Sequence, residues 1–370
     1  MEIVWLSWKD ISHPNAGGAE VISDSILSRL AAQGHCVTLL TARYPGSPKS
    51  EQMNGYNILR DGGRLGCYPK ALLNFRRHHA RTADLLIEEI NTVPFFSLLF
   101  RKTRRILLFH QLCKRVWFFQ MPLPVAVIGY LAEAVYLRLL SGEKTMAMSD
   151  STADDLRRHG FKRIAPTLIE GVTSRPAAGY RYRFHGGRVL SFGSIRPMKQ
   201  TLHQVIAFEK AADRNDSITL TVAGKGDGKY FRKVIEHMKT SRHANRMNYI
   251  SEVSDETKQT LFASCDVLLM SSVKEGWGLT VTEAAQQGTP SIVYDVDGLK
   301  DSVQQHVTGL ICETNSPAGM SKAILQFFGS TIDRATLATS ALEQSRIHTV
   351  DNTHLSFLRA LQHFGYVDNV

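Results

Sequence analysis

"KEGWGLTVTEAAQQGTP" (Lys274–Pro290) follows an apolar run, "CDVLLMSS", and precedes another, "SIVYDV". The two runs read as buried strands. Between them Thr280-Val281-Thr282-Glu283 has the spacing of a capping box. It predicts a helix starting near Val281, with Thr280 as N-cap and Glu283 reaching back to its N–H. Gly288 stops that helix, and Thr289-Pro290 starts the next strand. A strand, a glycine-rich loop and a helix N-terminus in this order point backbone donors and a positive dipole end at an anion. Alternatively, Glu283 only caps and Glu275 only faces water.

The same alternation of β-branched runs and helical patterns fills the chain. The first half offers "EIVWLSW", "CVTLLTA", "DLLIEEI" and "RILLFHQ", with a helix over Ala19–Gln33. The second half offers "RVLSFGS", "SITLTVAG", "NYISEV", "DVLLMSS", "PSIVYDV" and "GLICET". Between them "GVTSRPAAGYRYRFHGG" (Gly171–Gly187) has neither period and reads as a linker. The fold class expected is therefore α/β, with two doubly wound, Rossmann-like domains facing a central cleft. The expected division is 1–175, 176–350, and a last helix over 351–370 crossing back to the first domain.

Composition narrows the class. The 370 residues exceed one ordinary core, and 43% hydrophobic with 21% charged residues suits a water-soluble globular chain. Glu2 stands where a signal peptide has a basic region, and five scattered cysteines form no CxxC pair. A cytoplasmic, reducing setting without structural zinc is expected, with a peripheral place on the inner membrane face as a further expectation. Up to His185 there are 25 Lys and Arg against 15 Asp and Glu; beyond it there are 19 of each. The basic excess in the first half suggests an acidic partner for that half, or else a solvated surface.

Individually the motifs are weak. "HPNAGGAEV" puts Gly17 and Gly18 at a helix start, suited to a diphosphate or to an ordinary turn. "AGKGDGKY" fails as a P-loop, since Ala223 and Tyr230 stand where Gly and Ser/Thr are required. It remains a tight turn at Gly224. "SFGSIRPMKQ" offers Arg196 and Lys199 as a phosphate clamp. His110 ends a strand. Glu88 and Glu89 are adjacent on a strand and point to opposite faces, so they cannot flank one bond. Asp295-Val296-Asp297 has the form of a metal-binding DxD.

Taken in order, these pieces resemble the retaining glycosyltransferases of family four, with the two-domain B-type fold. "EGWGLTVTE" looks like that family's E-x7-E motif, "GGAE" like its N-terminal glycine loop, and "GSIRPMKQ" like its phosphate loop. "AGKGDG", "ISEVSDETKQTLFASCDVLLMSS" and "GLKDSVQQHVTGLI" match in register. The resemblance implies transfer of a sugar from a nucleoside diphosphate to an acceptor hydroxyl, in polysaccharide, glycolipid or cell-envelope glycan synthesis. It implies that Glu275 faces the sugar hydroxyls, with Gly276, Trp277, Gly278 and Leu279 beside sugar and diphosphate. Glu283 would bind the ribose, and Arg196 and Lys199 the leaving diphosphate. Gly17 and Gly18 would close on it, His110 would touch the sugar, and Gly224 and Val253 would line the donor site. No cofactor, metal or nucleic acid is implied. The acceptor would be a glycan or lipid-linked. The chain departs from the family at Ser194, where Arg is usual, at Glu252 and Glu170, and at Trp277. A sugar-nucleotide epimerase of the same fold, or a non-catalytic nucleotide-sugar-binding module, stays open.

Beyond the motifs, the basic cluster Arg101-Lys102-Thr103-Arg104-Arg105 lies upstream of "CKRVWFFQMPLPVAVIGYLAEAVYLRLL". The pair suggests docking on an anionic membrane; the competing expectation makes Val125–Leu140 a core helix.

Overall fold

A computed structural model describes residues 1–100 and 102–367. The chain packs as two units. One takes Met1–Lys114, Val127–Gly171 and the chain from Thr349 on; the other takes Arg115–Ala126 and Val172–His348. The crossings thus fall a few residues before positions 175 and 350. Gly171 is tied to the first unit by its amide, which donates to Thr353 Oγ1 at 2.8 Å. The inclusion of Arg115–Ala126 in the second unit has no counterpart in the sequence reading.

The first unit holds a seven-stranded sheet: β1 (Glu2–Leu6), β2 (Cys36–Thr41), β3 (Ser50–Met53), β4 (Tyr56–Arg60), β5 (Leu85–Ile90), β6 (Arg105–Phe109) and β7 (Thr145–Ala147). Its order is β3-β4-β2-β1-β5-β6-β7, parallel except for β3, which pairs antiparallel with β4. Ile3 lies opposite both Val37 and Leu85, so the apolar runs of three strands meet in one register. Such runs are buried on both faces, as parallel sheets covered by helices require. The closing helix, Val350–His363, starts at Thr349, whose side chain accepts from the Asn352 amide. It rests on the helix Gly18–Ala32 through an Arg29–Asp351 ion pair of 2.7 Å, and Phe357 packs on Trp5.

In the second unit the sheet consists of β8 (Arg188–Phe192), β9 (Thr219–Ala223), β10 (Met247–Ile250), β11 (Val267–Met270), β12 (Ser291–Val293) and β13 (Gly309–Ile311). The order is β10-β9-β8-β11-β12-β13, all parallel. The entry to β8 is pinned by the Asp266 carboxylate, which accepts from the amides of His185, Gly187 and Arg188. Helices Thr201–Ala212 and Pro317–Phe328 cover one face. Phe208 and Phe327 are buried there, each stabilising the unit by about 1.5–3 kcal/mol. Strand order reverses between β8 and β11. A doubly wound sheet opens a crevice at such a reversal, outside the carboxyl ends of the strands.

Candidate active site

Two loops meet at that reversal. The one after β8 carries Arg196 and Lys199, and the one after β11 carries Ser271 to Gly278. They are stitched by the Val273 amide, which donates to Met198 O at 2.8 Å, and by Ser271 Oγ, which donates to Lys199 O and Gln200 O at 3.0 Å. Lys199 Nζ lies 2.5 Å from Glu275 Oε1, and Ser272 Oγ donates to the same oxygen at 2.5 Å. Their side chains keep 20% and 15% exposure, so the pair is held yet reachable from solvent. A small pocket beside it is lined by Gly193, Ser194, Lys199, Thr201 and Ser272. Arg196 is exposed, and its guanidinium makes no ion pair among the described residues.

Next in the chain, the helix runs Leu279–Ala285, two residues earlier than the capping-box spacing predicts. The N-cap is Gly278, whose φ of +121° favours glycine and whose missing Cβ would lie 2.9 Å from Ser302 Oγ. Thr280 is therefore not the cap. The Glu283 carboxylate instead accepts from Lys258 Nζ at 2.8 Å. Burial raises the Glu283 pKa, and Lys258 opposes that rise. Trp277 is clamped beside the helix: its Nε1 donates to Thr282 Oγ1 at 2.9 Å, and its ring packs on His348. Gly276 and Leu279 are half-buried on either side of Trp277 and Gly278. Gly224 follows β9 with its amide on Ile250 O, and half-buried Val253 follows β10. All these residues stand at the carboxyl ends of the second sheet. Asp297 is engaged by Lys274 at 2.9 Å and Lys300 at 3.1 Å. Two ammonium groups on one carboxylate make a poor cation ligand of the DxD.

In the first unit, Gly17 is the N-cap of the helix Gly18–Ala32. Its amide donates to Glu20 Oε2 at 2.6 Å, and Glu20 also ion-pairs with Lys9 at 3.0 Å. An internal carboxylate thus occupies the amide expected to meet a diphosphate. His110 follows β6, buried, with Nε2 3.1 Å from Glu89 Oε1. The approach is too oblique for a good hydrogen bond, so the contact is chiefly electrostatic. Burial alone would lower the His110 pKa; the Glu89 carboxylate more than reverses this and raises it. Glu89 also accepts from Trp5 Nε1 and Ser23 Oγ, each at 2.8 Å. Glu88 faces the other way and accepts from the Phe96 and Ser97 amides. Sequence reasoning missed Lys258, Ser272 and the Glu89–His110 contact. Ser272 alone carried a local signal, being three residues from Glu275.

Residues 186–344 match the family model of the glycosyl transferases group 1. The match lies within the second unit. N-acetyl-alpha-D-glucosaminyl L-malate synthase of Bacillus anthracis is 28% identical over 138 residues, 37% of this chain and 35% of that protein. The chain spans about a third of the length of the curated relatives first matched. Similarity of fold runs further. Sucrose-phosphate synthase of Thermosynechococcus elongatus superposes with a TM-score of 0.78 at 20% identity, covering 98% of this chain and 99% of that one. HepE of Anabaena, in complex with UDP and glucose, superposes at 0.71 with 15% identity, covering 98% and 99%. These neighbours have the B-type glycosyltransferase fold, two parallel-sheet α/β domains, as expected from the sequence.

Proposed function

We propose that this protein is a retaining glycosyltransferase of family four, moving a sugar from a nucleoside-diphosphate sugar to an acceptor hydroxyl without a metal. The observation that carries the reading is the Lys199–Glu275 contact at the sheet reversal, inside the segment that matches the group 1 glycosyltransferases. The HepE structure holds UDP and glucose, which supports a nucleotide-sugar donor. In this reading Lys199 leaves Glu275 for the departing diphosphate, joined by the exposed guanidinium of Arg196. The freed Glu275 carboxylate accepts from sugar hydroxyls, and Glu283 accepts from the ribose. Fixed cations placed where negative charge develops stabilise the transition state directly. The C1–O bond to the diphosphate breaks while the acceptor oxygen bonds C1 on the same face. The acceptor proton passes to the leaving phosphate oxygen. The resemblance places His110 at the sugar and Gly17 and Gly18 at the diphosphate, for which the Gly17 amide must release Glu20; the acceptor is a glycan or lipid-linked alcohol.

The test is a thermal-shift screen of nucleoside diphosphates and their sugars, followed by turnover with acceptor mixtures and with donor alone. Stabilisation by one nucleotide series and transfer only with acceptor support the reading. Conversion of the donor with no acceptor present makes the protein an epimerase. Activity abolished by EDTA and restored by manganese contradicts the metal-free mechanism.

A further inference from the structure

The helix Leu123–Leu140 is long and apolar enough to cross a membrane, yet only 28% of it is buried. It is therefore not the core helix that all-round apolarity suggested. One side is anchored: Tyr136, Leu137 and Leu140 join a core cluster, and Glu133 accepts from the Cys113 and Lys114 amides at 2.7 Å. An anchored helix does not span a bilayer. At about 100° per residue, Leu123, Ile128, Leu131, Val135 and Leu139 share the opposite side. All five are 60–68% exposed. The helix is about 27 Å long at 1.5 Å per residue, and so large an exposed apolar surface marks an interaction site.

Charge identifies the occupant. The one charged side chain on this side is Arg138, since Glu133 is turned inward. Exposed Lys102 and Arg104 adjoin Arg105, whose ion pair with Glu143 at 2.7 Å places them by the helix's end; Arg101 lies outside the described residues. Exposed apolar side chains flanked by cations suit the headgroup region of an anionic bilayer. A second copy of this face would offer Arg138 no carboxylate partner, because the one carboxylate on the helix, Glu133, is buried. We infer that this helix lies in the plane of an anionic lipid surface and docks the protein there. The inference stands apart from the sugar-transfer reading.

Liposome co-sedimentation of the full chain tests it, with vesicles of phosphatidylcholine alone and of phosphatidylcholine mixed with phosphatidylglycerol. Binding to the anionic vesicles exceeds binding to the neutral ones and falls as salt rises. Arg138→Ala weakens it roughly fivefold. The double variant Leu131→Glu, Val135→Glu loses it while its thermal melt and circular dichroism stay those of the wild type. Equal binding by wild type and double variant overturns the inference, as does absence of binding to either vesicle. A concentration-dependent dimer that the double variant abolishes, without vesicle binding, assigns the face to self-association and overturns it as well. Nucleotide thermal shifts need no vesicles, so failure here leaves the proposed function to its own test.

Discussion

The parallel strands run β4-β2-β1-β5-β6-β7 in the first unit and β10-β9-β8-β11-β12-β13 in the second. Counted from each unit's own first parallel strand, the order is the same. Both therefore reverse at the same place, and both bring charged side chains there, but they treat the charge differently. In the first unit Arg60 and Asp10 pair at 2.7 Å with no exposed surface on either side chain, and fully buried Glu89 meets a His110 side chain that keeps 7% exposure. In the second, Lys199 and Glu275 pair where solvent still reaches them. A shared topology supplies the crevice; accessibility decides whether its charges hold the fold or remain free to exchange partners.

The difference is broken or sharpened most strongly at Arg60. Arg60→Met leaves Asp10 buried without its main partner and should cost about 3–5 kcal/mol in urea denaturation. Lys199→Ala, at a partly exposed pair, should cost no more than about 1 kcal/mol in the same measurement. Equal losses would erase the distinction between the units.

Turnover should reverse that ranking. Lys199→Ala lowers kcat by roughly 10²–10³-fold at saturating donor, by analogy with loss of an oxyanion-hole donor, and Arg196→Ala lowers it less. A Lys199→Ala protein as active as wild type would remove Lys199 from the mechanism.

Smaller effects follow at Glu283. Glu283→Ala should weaken binding of the free nucleoside diphosphate by roughly tenfold or more, the loss of hydrogen bonds to a charged group; Glu275→Ala acts mainly on turnover. Calorimetry separates them. Lys258→Met removes the cation that opposes the raised Glu283 pKa. The acid-side loss of nucleotide affinity should then begin at higher pH, and an unmoved pH profile would mean that Lys258 does not hold Glu283 ready.

The smallest effect concerns Glu89 and His110. His110 has its pKa raised above the usual 6.5, so its share of stability is complete below 6.5 and fades as pH rises through the folded value. Glu89 is buried, which raises its pKa, but His110, Trp5 and Ser23 more than reverse this and depress it below the usual 4.5. Its share is present above 4.5 and fades as pH falls through the folded value. The stability gap between wild type and the double variant Glu89→Gln, His110→Gln should be widest between pH 4.5 and 6.5. A gap that keeps widening toward alkaline pH contradicts the pairing.

These residues also mark where the sequence is readable. All six strands of the second sheet were legible, because each is an apolar run bounded by turn residues. The β3–β4 hairpin was not, since "SEQM" is polar and largely exposed and pairs only along an edge. Strand β7, "TMA", is too short for any period. The helix start was misread because the capping-box spacing is local, whereas Gly278 owes its place to Ser302, far along the chain. The Lys258–Glu283 pair joins residues 25 positions apart and leaves no local pattern. Lys199 and Glu275 were legible only as members of motifs; their contact depends on two loops meeting at the reversal.

Trp277 gives the second unit a built-in optical probe. The other three tryptophans, Trp5, Trp8 and Trp117, lie outside the loop that joins β11 to its helix. The indole of Trp277 sits 4.9 Å from the His348 ring, a neighbour able to quench its emission, and donates to Thr282. A ligand reaching Gly276 to Leu279 must alter that environment, so the intrinsic fluorescence of the unlabelled protein reports occupancy in real time. Trp277→Phe would keep the ring and darken the signal.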